Sequence, residues 1–407
     1  MNPSVGPVVA SDFSRRSFFR FAAGASALAT LPILTESHLA LAQRPHFADP
    51  SKGIHIDANE NPLGPSEAAR KAIVDIVPLG GRYLFNLEMD LTETFAKMEG
   101  LDPETVKVFA GSSDPLHYTV LAFTSKDRPL VVADPGYEAP MWAAKASGAS
   151  VIKVPLADPG GAAKHDVKAM LAASPNPGVI YICNPNNPTG TCTPRADIEQ
   201  LVAGAPKDTV ILIDEAYIHL CTEPQSLDFV KEGKNVIVLR TFSKLYGMAG
   251  IRMGLAVGRK DLLAKYQYFG QNSMPVTALA AAKASLLDSD LVPTRRKIIG
   301  GVRAETLAWL KSQGYAVTPS ESNCFMLDVR RPGREVQAAL AAKDMYIGRI
   351  WPAWPTQVRV TVGTRDEMLA FRKAFGEVMS APASAAAGLE PPRLPGRLAE
   401  RPFTHMS

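Results

Sequence analysis

Seven short, almost unbroken apolar runs, most set apart by a segment long enough for a helix, constrain this chain more than any other feature. They are VKVF (106–109), LVVA (130–133), VIKV (151–154), VIYIC (179–183), VILID (210–214), VIVLR (236–240) and LAVG (255–258). A strand with one wet face alternates apolar and polar residues. Runs this uniformly apolar and β-branched belong to strands covered on both faces. Helical patterns such as 115–123, 138–147 and 194–203 supply the cover. The arrangement predicts an α/β fold whose large domain, residues 76–270, is built on a mostly parallel seven-stranded sheet. Beyond about residue 270 the character changes. A long helical stretch at 291–313, then CFMLDV (324–329), another helix, QVRVTV (357–362) and a last helix to about 379 predict a smaller C-terminal α/β domain over 271–379, which residues 43–75 join. Residues 380–407 are Pro- and Ala-rich without periodicity and read as a disordered tail.

The first 42 residues read as an address. Arg15 and Arg16 precede two phenylalanines, an Ala-rich stretch follows, and Ala40-Leu41-Ala42 closes it, the order of a charged region, an apolar region and a cleavage site. With Arg20 inside it, the stretch is too weakly apolar for a stable membrane anchor, which needs about 20 strongly apolar residues. The paired arginines resemble the signal of the twin-arginine export route. That implies a periplasmic protein beginning at Gln43, with the cytoplasm as the alternative. The balance of 44 Lys+Arg against 40 Asp+Glu excludes the electrostatic footprint of a nucleic-acid binder. Cys183, Cys192, Cys221 and Cys324 show no CxxC or zinc spacing and read as free or buried thiols rather than metal ligands. An oxidising compartment leaves a disulfide open.

In open α/β sheets, ligands bind beyond the carboxyl ends of the strands, and the unusual residues of this chain collect there. TFSKLYGMAGIRMG (241–254) places Lys244 just past an apolar strand. A lysine in such surroundings loses basicity and suits imine chemistry with a carbonyl. Asp214 ends VILID, and a carboxylate at the end of a buried strand needs a cation or donors; a protonated pyridine nitrogen would serve. Tyr217, three residues on, carries a phenolic donor. NPNNPTG (184–190) is a rigid turn in which Pro185 and Pro188 fix φ, Gly190 permits positive φ, and Asn187 presents an amide. GSSD (111–114) opens a helix, whose free amides and dipole suit a phosphate at Ser112 and Ser113. Thr241 and Ser243 add hydroxyls, and Arg252 a planar fork. Singly, each has an ordinary reading: a surface lysine, a loop-capping aspartate, a helix cap. Together they ask for a carbonyl, a ring nitrogen, a ring hydroxyl and a phosphate, and pyridoxal 5′-phosphate carries all four.

On these strings, with DANENPLGPS (57–66), GGRY (80–83), DPGYEAP (134–140), IDEAY (213–217) and VRVTVGTRDEM (358–368), residues 54 to about 379 resemble a fold-type I aminotransferase of class I/II, nearest the histidinol-phosphate aminotransferase branch. The resemblance implies transfer of an amino group between an amino acid, or an amino-alcohol phosphate such as histidinol phosphate, and a 2-oxo acid. It makes Lys244 the residue that joins the cofactor and shuttles the proton, and Asp214 the partner of the ring nitrogen. Asn187 and Tyr217 then face the ring hydroxyl, Tyr137 stacks on the ring, and Arg359 with Asn187 meets the substrate's anionic end. It further implies a homodimer with shared sites, Tyr83 reaching the neighbour's phosphate, although RYLFNLEMD lacks the proline expected after Tyr83. Trp351 and Trp354 fit a pocket wall and a packed lid equally. Decarboxylases, β-lyases and racemases on the same scaffold are the alternative activities.

Overall fold

The computed structural model describes residues 33–43, 52–270 and 272–381. The twin arginines, Arg15 and Arg16, and the tail beyond 381 lie outside the described residues. The described part belongs to one compact unit that begins at Ile33. Within it no helix is long and apolar enough to cross a membrane.

Its strands, in chain order, are β1 (Ile54–Ile56), β2 (Val106–Phe109), β3 (Leu130–Asp134), β4 (Val151–Pro155), β5 (Val179–Cys183), β6 (Val210–Asp214), β7 (Val236–Thr241), β8 (Gly254–Gly258), β9 (Cys324–Asp328), β10 (Met345–Ile347) and β11 (Gln357–Thr361). Seven of them, in the order β2-β8-β7-β6-β5-β3-β4, form the predicted sheet. β8 runs antiparallel to both neighbours, and the other pairs are parallel. Side chains alternate across the sheet, so each strand feeds two cores. Ile180, Ile182, Ile211, Ile213 and Val238 pack on one face, where Ile198 and Leu201 of the helix Arg195–Gly204 cover them. Val179, Tyr181, Val210, Leu212 and Leu239 pack on the other, under Leu116 and Val120 of the helix Ser113–Phe123 and Ala143 of the helix Ala139–Ala146. This two-sided burial is why the runs read as continuously apolar.

In the C-terminal part β9 and β11 pair antiparallel, and the long helix Leu291–Ser312 precedes them. β1, in the N-terminal segment, pairs parallel with β10. The closing helix Arg365–Ser380 starts on a complete capping box between Thr364 and Glu367. The helix expected from residue 115 starts at Ser113, because Pro115 is tolerated in a first turn that has no amide partner to lose. Two further findings add to the sequence reading. Cys192 and Cys221 are joined by a disulfide across 29 residues, because the loops after β5 and β6 meet in space; Cys183 and Cys324 are free and buried. The helix Glu36–Gln43, part of the stretch read as an address, packs onto the body, with Leu34 and Leu39 entering a core cluster.

Candidate active site

A cavity of about 260 Å³ opens where β2, β5, β6 and β7 end, lined by Lys244, Asp214 and Tyr217 among others. Lys244 is buried, and its Nζ donates to the carbonyl oxygens of Asn59 at 2.9 Å and Ala58 at 3.4 Å. Burial pushes its pKa down, against the pull of Glu36, which favours the neutral amine. Asp214 Oδ2 accepts from the Tyr181 hydroxyl at 3.0 Å, and Oδ1 from the Ala216 amide at 3.1 Å. Burial nonetheless raises Asp214 to about 6, above what Tyr181, Ala216 and Lys244 can offset. A carboxylate in that state lacks a full positive partner.

Ser112, Ser113, Thr241, Ser243 and Arg252 also line the cavity. Ser112, at the cap of the helix Ser113–Phe123, makes no side-chain capping bond, and Ser112 and Ser113 line the cavity. Thr241 Oγ1 lies 3.0 Å from Ser243 Oγ, and Arg252 Nη1 donates to Ser243 Oγ at 3.3 Å and to the Ala249 carbonyl at 3.0 Å. Arg252 Nη2 donates to the Ala110 carbonyl at 3.1 Å. Arg252 itself adopts a φ of 65°. Gly111 makes this possible: its φ is +94°, and a Cβ there would stand 2.1 Å from Arg252 Nη2. Gly111→Ala should therefore push the guanidinium out of the cradle. Losing one charge-assisted contact, about 1.5–3 kcal/mol, should weaken phosphate-bearing ligands roughly ten- to a hundred-fold, measurable by equilibrium dialysis of the cofactor.

Tyr137 is buried and lines the cavity, and Tyr217 accepts from Asn59 Nδ2 at 2.9 Å through its hydroxyl. Asn187 turns its Oδ1 to Arg359 Nη1, 2.9 Å away. Arg359 is fully buried on β11, and its Nη2 donates to the Asp57 carbonyl and to Glu36 Oε1, both at 2.6 Å. Arg349 lies beside it, donating from Nη2 to Glu36 Oε2 at 3.0 Å and from Nη1 to Glu138 Oε2 at 2.7 Å. The two guanidiniums sit 4.6 and 5.6 Å from the ring of Trp351. That indole is buried, with its Nε1 donating to the Gly136 carbonyl at 2.9 Å. Trp351 is thus a floor under the arginines, neither lid nor cavity wall. Trp354 packs beside Ala133, Leu156 and Ala163. Tyr83, expected to serve a neighbouring subunit, does not line its own chain's cavity; it is 73% exposed and stacks on Phe85.

The sequence reading missed Asn59, Tyr181 and Arg349. Tyr181 was findable: β5 and β6 align Cys183 with Asp214, so Tyr181, two residues back, shares that face. Asn59 lies inside DANENP, and Arg349 inside IGRI, with no local signal that either meets Lys244 or Arg359.

Residues 51–375 match the family Aminotransferase class I and II. The chain belongs to that family. This aminotransferase is 32% identical over 341 residues to histidinol-phosphate aminotransferase of Moorella thermoacetica, covering 80% of this chain and 86% of the relative. It is 33% identical over 326 residues to an aromatic amino acid aminotransferase of Mycolicibacterium smegmatis, covering 78% and 88%. Its fold matches that of histidinol-phosphate aminotransferase from Sinorhizobium meliloti, solved with pyridoxal 5′-phosphate, with a TM-score of 0.74, 24% identity, and coverage of 91% of this chain and 98% of that one. The mostly parallel seven-stranded sheet with its helices is the fold-type I α/β fold.

Proposed function

We propose that the chain is a pyridoxal 5′-phosphate-dependent transaminase that passes an amino group from a donor with an anionic end to a 2-oxo acid. One observation carries the reading: a buried carboxylate short of a cation, a cluster of hydroxyls with a guanidinium, and a buried amine all line one cavity. Those residues fit the cofactor group by group. Asp214 would hold the ring nitrogen's proton, Asn187 and Tyr217 the ring hydroxyl, Tyr137 a ring face, and Ser112, Ser113, Thr241, Ser243 and Arg252 the phosphate. When bound, pyridoxal 5′-phosphate supplies an aldehyde that captures the amino group and a ring that spreads carbanion charge. Lys244, whose basicity burial lowers, is the group placed to take the proton from the donor's Cα. Arg359 and Arg349 fix the donor's anionic end and so set which Cα bond is presented.

Amino acid and 2-oxo acid share a carboxylate, and a carboxylate gripped by two guanidiniums is not the group that leaves. That favours transamination over decarboxylation. Histidinol phosphate and aromatic amino acids, the substrates in the relatives' names, both join a flat ring to an anion. The test is a donor panel with 2-oxoglutarate, followed by cofactor absorbance and by product analysis. Donors that change neither, with no amino group transferred, would sink the reading. Arg359→Ala should raise KM for carboxylate donors about ten- to a hundred-fold, the loss of a charged hydrogen-bonding partner worth roughly 1.5–3 kcal/mol, while cofactor affinity stays unchanged. Unaltered KM would remove Arg359 from the substrate site.

Homodimerisation is supported by the apolar side chains left open along residues 74–89, with Tyr83 at 73% and Phe85 at 75% exposure. A monomer in sedimentation at working concentration would contradict it. Export is supported by the leader motif, and cell fractionation decides it.

A further inference from the structure

Glu36 does in this structure what a substrate's anionic group would do. Its carboxylate takes Arg359 Nη2 at 2.6 Å, Arg349 Nη2 at 3.0 Å and Asn187 Nδ2 at 3.2 Å, three donors from three separate elements. Burial alone would raise its pKa, yet Arg349, Arg359 and Lys244 hold it down to about 2. The segment that carries it is fastened on both sides. Leu34 is buried beside Leu116, and its amide donates to His117 Nε2 at 3.3 Å. Gln43 brackets Ile350, accepting from its amide at 3.0 Å and donating to its carbonyl at 3.3 Å. Thr35, Glu36 and Ser37 form part of the cavity wall.

We propose that residues 33–43 are an internal plug, with Glu36 as a substrate mimic that keeps the anion subsite closed in the full-length chain. The proposal rests on the reading of Arg359 and Arg349 as the substrate's anion site. A tethered carboxylate competes at an effective concentration of the order of millimolar, enough to exclude a free acid of similar or weaker affinity. Among the described residues Ser243 and Arg252 of the phosphate cradle hydrogen-bond to Thr241, Ala249 and Ala110 rather than to residues 33–43, so the plug bears on the anion subsite more than on the cradle. Glu36 lies within the leader that the sequence marks for removal. Hydrolysis of the peptide bond after Ala42, with water as co-reactant and a peptidase as catalyst, would therefore detach the mimic and open the site in one event.

The test uses the cofactor-loaded full chain and a probe with a carboxylate but no amino group, 3-phenylpropanoate, titrated by calorimetry. Glu36→Ala should bind it at least ten-fold more tightly than the parent chain. Leu34→Asp, which loosens the fastening without touching the arginines, should shift affinity in the same direction. Because probe and plug exclude each other, saturating probe should also speed chymotrypsin cleavage at Leu39 and Leu41 in the parent. Adding Arg359→Ala to Glu36→Ala should abolish the gain. Equal affinity in parent and Glu36→Ala, lost in both with Arg359→Ala, would overturn the plug and leave the anion site standing. Binding that ignores Arg359 in every variant would overturn the site assignment and the plug with it.

Discussion

Lys244→Ala should stop turnover while cofactor still binds. The ε-amine is the group placed to take the Cα proton, and a positioned base contributes up to about 10⁴-fold in rate. Loss of the covalent link should add to that, so kcat should fall by about 10⁴-fold or more. The cradle at Ser112, Ser243 and Arg252 and the carboxylate of Asp214 remain, so cofactor should stay bound without a covalent bond. Gel filtration followed by absorbance, with and without borohydride, separates the two effects. Multiple turnover at near-parental rate would refute the role. A second consequence follows from charge. Lys244 helps hold Asp214 down, so removing it should raise the carboxyl's pKa further.

Asp214→Asn should lower kcat roughly 10²- to 10³-fold, the usual loss when a preorganised electrostatic partner is removed from a buried site. It should also change stability with pH in the cofactor-free protein. Asp214 sits near 6 in the folded chain against an ordinary 3.8. A folded-state pKa above the unfolded value means that stability is fully present below 3.8 and is lost as pH rises through about 6. At 1.36 kcal/mol per pKa unit, the loss is about 3 kcal/mol. Asparagine cannot ionise, so the variant should gain on the parent between pH 4 and 7 in thermal or urea unfolding. Parallel stability curves would show that burial does not hold the carboxyl as described. Loaded cofactor should shrink the difference, because the ring nitrogen supplies the missing cation.

The sheet was legible almost strand for strand because burial on both faces writes itself into local composition. β2, β5 and β6 fall at the boundaries read from VKVF, VIYIC and VILID, and the other strands differ by a residue. Asp214, Lys244 and the Gly111 loop were legible for a related reason. Each sits where a strand ends, and each is chemically out of place beside its neighbours. Arg349 and Asn59 were not, since their meaning depends on partners hundreds of residues away: Asn59 faces Tyr217 and Cys324, and Arg349 faces Glu138 and Glu36. Glu36 was missed for the same reason. Within the leader it is one polar residue after an Ala-rich stretch; only the fold brings it to Arg359. Trp351 left two readings open because aromatic residues in sequence do not state which side they present.

The indole floor carries one last implication. Arg349 and Arg359 share it, and among the described residues their carboxylate partners are Glu138 and Glu36. Should residues 1–42 be cleaved off, as the leader motif predicts, Arg359 would lose Glu36 and its anion position would open, while Arg349 keeps Glu138. Chloride or phosphate from the medium should fill it, and the incoming acid then arrives by ion exchange rather than by simple addition. In the processed enzyme, apparent KM should climb with chloride concentration while kcat holds steady.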